Sequence, residues 1–168
     1  MIFLMLIILA GCEGGGFIGI PLSDGVAARA LEFALSRVNC PYVLGAQGPK
    51  SFDCSGLVIW SYSKAFAKLK LHVGARVVPD ATAENLWRYN VLPLEPQHIA
   101  PGDLIFVTNS ESEVNHVGMF IRWVDDAETK FEFVHASASH GRVTIGTWSM
   151  NTEGGYWYVG AGRVKMGF

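Results

Sequence analysis

Cysteine is scarce in this chain: three residues in 168, at positions 12, 40 and 54. Three thiols cannot build a paired disulfide framework, so the fold has to rest on its apolar core. Charge is sparse as well, at 17% of residues, with 13 basic and 15 acidic side chains and a net of −2. No basic run interrupts the sequence, which argues against nucleic acid as a partner. No internal repeat is visible, and low complexity is confined to a short glycine run near the N-terminus. Neither a Cys-x-x-Cys pair nor a His-Glu-x-x-His helix motif occurs, so the five histidines and three cysteines spell no metal site. His135 and His140 stand across an expected strand end, which is poor ligand spacing. What remains is ample: half of the residues are hydrophobic and 12% aromatic, enough for one domain with a real core.

Residues 1–11 form an apolar leader, too short to span a bilayer and fitting the apolar part of a signal peptide. Leu9-Ala10-Gly11-Cys12 resembles a bacterial lipoprotein cleavage site. That resemblance implies cleavage before Cys12, lipid on its thiol, and a membrane-anchored location in the extracytoplasmic envelope, with plain secretion as the alternative. Residues 12–22 read as a Gly-rich tether, reaching about 33 Å at most from Glu13 to Leu22. Residues 23–168 then form the folded domain.

The domain is organised around Phe52-Asp53-Cys54-Ser55-Gly56-Leu57-Val58. The stretch from Asn39 to Phe52 is rich in Pro and Gly and reads as loop. An apolar run at helical spacing follows Cys54, which places this cysteine at a helix N-terminus. Unpaired N–H groups and the positive end of the helix dipole lie there, and both lower a thiol pKa. A buried structural cysteine is the competing reading, and the polar neighbours Asp53 and Ser55 argue against it. A Cys40–Cys54 disulfide is open on sequence alone. Tyr42 reads either as a core aromatic or as a phenol lining the cleft.

Ser23 or Asp24 is expected to cap a first helix running to about Val38, with Ala27, Ala30, Leu31, Ala34 and Val38 on one face. A short helix capped by Asp80 is expected over Asp80–Tyr89, followed by a break at Pro93 and Pro96. Strands are expected at Leu104–Val107, Val114–Trp123, Phe131–His135, Arg142–Ile145 and Tyr156–Val164. Trp148, Tyr156 and Trp157 are placed to border a groove. Helices first and consecutive strands afterwards predict an α+β domain with an antiparallel sheet. Val114–Trp123 and Phe131–His135 pair as a hairpin around Asp125-Asp126-Ala127-Glu128. Direct pairing of His116 with His135 across it presents two imidazoles towards the helix that carries Cys54. One ring is then the base for the thiol, and the other orients it.

Those motifs, together with Pro41-Tyr42-Val43, Pro101-Gly102-Asp103-Leu104, His116-Val117-Gly118 and His135-Ala136, resemble the NlpC-type cell-wall peptidases, a papain-like family. The resemblance covers about residues 24–166. It implies Cys54 as nucleophile, His116 as base and His135 as the orienting residue, with Tyr42, Asp53 and Ser55 at the substrate. It implies hydrolysis of amide bonds in peptidoglycan stem peptides, often between D-γ-glutamate and a diamino acid, by a monomer that needs no metal and no cofactor. Leu44-Gly45-Ala46 and Val78–Glu84 depart from the family pattern in segments that shape the substrate groove. An inert papain-like envelope protein and an acyl-transferring one are the alternatives on the same fold.

Overall fold

The computed structural model describes residues 19–111, 113–151 and 155–166; the leader and Cys12 lie outside them. Helix α1 (Asp24–Leu35) starts at Ser23, which is extended and accepts the Val26 N–H on its hydroxyl. Its buried residues are Ala27, Ala30, Leu31 and Ala34, the expected stripe. It stops short of Val38, and the chain turns at Asn39 with φ 73°, a left-handed conformation that Asn tolerates better than most residues. Helix α2 (Cys54–Ala65) buries Ser55–Ile59, Ser61 and Tyr62, so it is enclosed on most sides. Helix α3 (Ala83–Asn85) is a single turn that widens into a π-turn over Leu86–Asn90. Its cap is Thr82, whose hydroxyl accepts from Asn85 N–H; Asp80, expected in that role, takes the neighbouring Ala81 N–H instead.

Nine strands lie among the described residues: β1 (Ile20–Pro21), β2 (Leu71–Val73), β3 (Arg76–Val78), β4 (Val91–Leu94), β5 (Leu104–Thr108), β6 (His116–Trp123), β7 (Lys130–Ser137), β8 (Arg142–Ser149) and β9 (Trp157–Met166). The main sheet is antiparallel in the order β1-β9-β5-β6-β7-β8, with β4 also on β9, and β2–β3 is a separate hairpin. Ile20 and Pro21, expected in the tether, pair with Met166 and Lys165 and so belong to the domain. Pro93, expected to break the chain, sits in β4 opposite Gly162. β4 is an edge strand, paired with β9 alone, where proline is tolerated.

The sheet separates two cores. On one face Leu104, Phe106, Val117, Met119, Val134, Ala136 and Val143 meet α1 and α2. On the other, Ile105, Val107, Phe120, Phe131, Phe133 and Ala161 form a second cluster with Trp123, Trp148, Tyr156 and Tyr158 at its margin. The Pro101-Gly102-Asp103 turn locks helix to sheet. Gly102 has φ +96°, and a Cβ there would lie 2.1 Å from the Ala27 carbonyl oxygen. Asp103 is wholly buried. It accepts two hydrogen bonds of 2.8 Å from the Arg163 guanidinium and one from Ala100 N–H, while Arg163 also donates to Asp24 at the start of α1. The Tyr62 hydroxyl donates to the Gly102 carbonyl and closes the other end.

Candidate active site

Asp53 sets the cysteine in place. It is extended, and its Oδ1 accepts from Gly56 N–H at 2.7 Å and from the Ser55 hydroxyl at 3.1 Å, so it caps α2. Its Oδ2 accepts from Gly45 N–H at 2.8 Å, which ties the preceding loop to the same cap. Gly56 is required by close approach, since a Cβ would lie 2.2 Å from the Ala46 carbonyl oxygen. Cys54 is thus the first residue of the helix, as the sequence predicts. Both Cys40 and Cys54 are free, so no disulfide consumes the thiol.

The two histidines meet, by a different route from the one expected. Beside the hairpin loop Trp123 pairs with Phe131 and Arg122 with Glu132; past a bulge at Ile121, Phe120 pairs with Phe133 and Met119 with Val134. Extended along the strands, that register sets His116 opposite Ser137 and His135 opposite Gly118. The histidines are therefore diagonal neighbours. The loop is longer than expected because the Asp125 side chain accepts the Thr129 and Lys130 N–H groups and draws the turn beyond Asp126. A one-residue shift of register exchanges the faces of a strand. Without the bulge the rings would lie on opposite sides of the sheet; with it they share one.

That shared face is the aromatic one, which corrects the expectation that both rings point towards α2. Phe133 stacks on His135 with centroids 4.3 Å apart and planes 13° from parallel, and meets the His116 ring edge-on at 6.5 Å. Gly118 makes room, since a Cβ there would lie 2.3 Å from the Phe133 ring. Nε2 of His116 and Nδ1 of His135 are 2.8 Å apart. The Cys54 sulfur lies by the start of β6: the backbone amides of Val117, Ser55 and Cys54 itself act on it, and Asn115 lines the same cavity.

Electrostatically, the site is governed by burial. Desolvation pushes the Cys54 thiol up, the Asp53 carboxylate adds to this, and the three amides pull it back only in part. The helix N-terminus was expected to lower this thiol, and burial outweighs it. Desolvation holds His116 down at about 4 and, with the neighbouring His116 and His140, His135 down at about 3. The resting site is a neutral thiol beside two neutral imidazoles. Tyr42, half-buried against the core, lines the same cavity as Cys54, and its phenol is raised by burial, then by the charges of Cys54 and Asp53.

Two openings flank the site. One, of about 280 Å³, is lined by Cys54, Tyr42, Asp53, Ser55, Thr82 and Asn115. The other, of about 130 Å³, is lined by the two histidines with Ser137, Ser139, Trp148 and Tyr156. A larger groove of about 480 Å³ between Trp87 and Trp157 adjoins the first across Glu84 and Val114 and holds none of the three reactive side chains. The Ser55 hydroxyl is spent on Asp53, so both residues position the helix start as well as line the cavity. Among the described residues no group of three metal-ligating side chains converges. Thr82, in the Val78–Glu84 segment expected to shape the groove, does line the cavity; sequence reasoning missed the bulge at Ile121, for which no residue pattern gives a signal.

A cysteine at the start of a helix, set against an antiparallel sheet that presents two bonded histidines, is the arrangement of the papain-like fold. The chain belongs to the NlpC/P60 family, whose model matches residues 39–161. It is 27% identical over 140 residues to the murein DD-endopeptidase MepH of Escherichia coli, covering 80% of this chain and 45% of that protein. It is 29% identical over 92 residues to the gamma-DL-glutamyl hydrolase of Bacillus subtilis, covering 54% and 20%. The chain spans less than half the length of these curated relatives. Among solved structures, a Staphylococcus aureus protein described as similar to lipoprotein, NLP/P60 family, matches with a TM-score of 0.59 at 26% identity, over 88% of this chain and 44% of that one.

Proposed function

We propose that this chain is a cysteine peptidase that hydrolyses amide bonds in peptidoglycan stem peptides, with Cys54 as nucleophile, His116 as base and His135 as the residue that orients the base. The observation that carries this reading is the 2.8 Å bond between His116 Nε2 and His135 Nδ1, on a strand where the backbone N–H of the next residue, Val117, bonds the Cys54 sulfur. One of these nitrogens must donate. If His135 accepts on Nδ1, His116 carries its proton on Nε2 and keeps Nδ1 as a basic lone pair for the thiol. The thiol proton passes to that nitrogen as the sulfur attacks the carbonyl carbon. The oxyanion is met by the Cys54 backbone N–H, and the imidazolium protonates the leaving amine. A thioester remains on Cys54. Water then adds to it, with His116 taking the water proton, and the acid product leaves as the thiol re-forms.

The names of the relatives support the substrate class, one being a murein DD-endopeptidase and another a gamma-DL-glutamyl hydrolase. The second name is the ground for proposing the bond between D-γ-glutamate and the diamino acid. Tyr42, Asp53 and Ser55 line the cavity on the acyl side. With this activity goes an extracytoplasmic location and a lipid anchor on Cys12; Cys12→Ala is expected to release the protein from the detergent phase. The deciding experiment is mass spectrometry of muropeptides after incubation with the protein and with Cys54→Ala. New fragments ending in a free γ-glutamyl carboxylate, present only with the wild-type protein, are expected. Equal release by Cys54→Ala would sink the cysteine-peptidase reading.

A further inference from the structure

Four of the five tryptophans pack against a core, and one does not. Trp60 and Trp87 lie against the helix-side cluster, Trp123 and Trp148 against the aromatic one. Trp157 belongs to neither, and among the described residues no other ring meets it. It opens β9 opposite Thr108 and lines the groove of about 480 Å³ together with Trp87. That volume falls within the roughly 300–1,000 Å³ of small-molecule sites. The groove is continuous with the cavity that holds Cys54, since Glu84, Glu113 and Val114 line both. Its carboxylates differ. Glu84 is spent, paired with Arg88 and accepting the Val114 N–H at 2.7 Å. The exposed side chains of Glu111 and Glu113 have no hydrogen-bond or ion-pair partner among the described residues. Open acceptors therefore line the same groove as an indole that no core claims.

The reaction fixes what reaches this groove. The acyl half of the substrate stays on the Cys54 sulfur and so occupies the cavity that holds it. Its far end is the nitrogen of L-alanine, which in intact peptidoglycan is acylated by the lactyl group of a muramic acid ring. A chain that continues past Glu84, Glu113 and Val114 brings that ring into the groove. The match is chemical as well as spatial. The C–H face of a pyranose packs on the flat apolar face of an indole. Its hydroxyl and acetamido hydrogens are donors for carboxylates, which accept more strongly than neutral oxygens. Resting on the peptidase reading above, we propose that this groove binds the sugar ring that carries the stem peptide, with Trp157 as its platform, so that glycan-linked stems are cleaved in preference to free peptides.

The test uses the full chain and three synthetic substrates that differ only at the L-alanine nitrogen of L-alanyl-γ-D-glutamyl-diaminopimelate: N-acetylmuramyl, N-acetyl and free amine. The muramyl substrate is expected to be cleaved about tenfold more efficiently than the acetyl one in kcat/KM, the ratio that roughly 1.4 kcal/mol of differential binding gives. Trp157→Ala is expected to erase that preference, chiefly through KM for the muramyl substrate. Both substrates are measured on the same variant, so a loss of folded protein cancels in the ratio. Glu113→Gln, at an exposed position, keeps the shape of the side chain and is expected to narrow the preference. Equal cleavage of the muramyl and acetyl substrates by the wild-type protein, or an undiminished preference in Trp157→Ala, overturns the sugar site while leaving the peptidase standing. A preference for the free amine over both others overturns it too, because the two carboxylates would then serve an ammonium. Cleavage of none of the three by wild-type protein removes both readings.

Discussion

Two groups of ionisable side chains are buried in this domain, and they have opposite fates. Asp103 is wholly enclosed, yet both of its oxygens are occupied by the Arg163 fork and the Ala100 amide. Hydrogen bonding to Asp103 raises the Arg163 guanidinium further above its ordinary value. Charge is retained there because each partner supplies what water would have given. Cys54, His116 and His135 are enclosed with no counter-ion of their own, and desolvation drives all three towards neutrality. The first group is finished and inert. The second is uncharged at rest, and in the proposed reaction it acquires charge only when a proton crosses from sulfur to ring. Burial alone does not separate a structural cluster from a reactive one; completeness of pairing does.

The comparison breaks most visibly at the thiol. Cys54→Ala and His116→Ala are each expected to lower the rate of stem-peptide cleavage by about 10⁴-fold or more, and the double variant should match either single one because the residues act as a unit. Product release followed over time for all three variants checks this, and additive losses would contradict it. At the other cluster the effect is on stability. Arg163→Met leaves Asp103 buried and unpaired, for which about 3–5 kcal/mol is expected. Denaturant unfolding at pH 7 measures it, and a change below about 1 kcal/mol would mean that Asp103 is not held by Arg163. Smaller than either is the effect of His135→Ala, which should lower kcat by about 10²-fold and leave a measurable remnant, since it removes the partner of the base and not the base. His135→Asn is expected to restore part of the loss by offering an acceptor.

The Cys54 helix, the second strand pair and the Pro101-Gly102-Asp103 turn were legible in the sequence for local reasons. A cap, an alternation and a glycine each act within a few residues. Cys54, His116 and His135 stood out as candidates because few titratable groups flank such signals, and the two histidines do come within hydrogen-bond distance of each other. Their mutual geometry was not legible. It depends on one extra residue at Ile121, and a bulge is a compromise between the two ends of a hairpin rather than a property of any residue in it. The direction of the thiol shift escaped for a related reason. Helix position is local and was read correctly, whereas enclosure by residues from Asp53 to Val117 exists only after folding. Pro93 misled because proline forbids a central strand but not an edge, and edges are assigned by topology.

The smallest effect expected is a pH dependence of stability, and its sign separates the two clusters. His116 and His135 have folded values of about 4 and about 3, below the ordinary 6.5. Between pH 6.5 and 4 the unfolded chain therefore binds more protons at these positions than the folded one. Stability is full above about pH 6.5 and falls as the pH drops through that window. From pH 7 to pH 5 each ring is expected to contribute a loss of about 1–2 kcal/mol. Melting curves at half-unit intervals should show the wild-type protein weakening from pH 6.5 downwards, and a His116→Gln/His135→Gln double variant should have a flatter profile over the same range. Arg163→Met should be less stable throughout without altering the slope above pH 5. A wild-type profile flat from pH 7 to pH 5 would mean that the rings are solvated when folded, and the account of a neutral resting site would go with it.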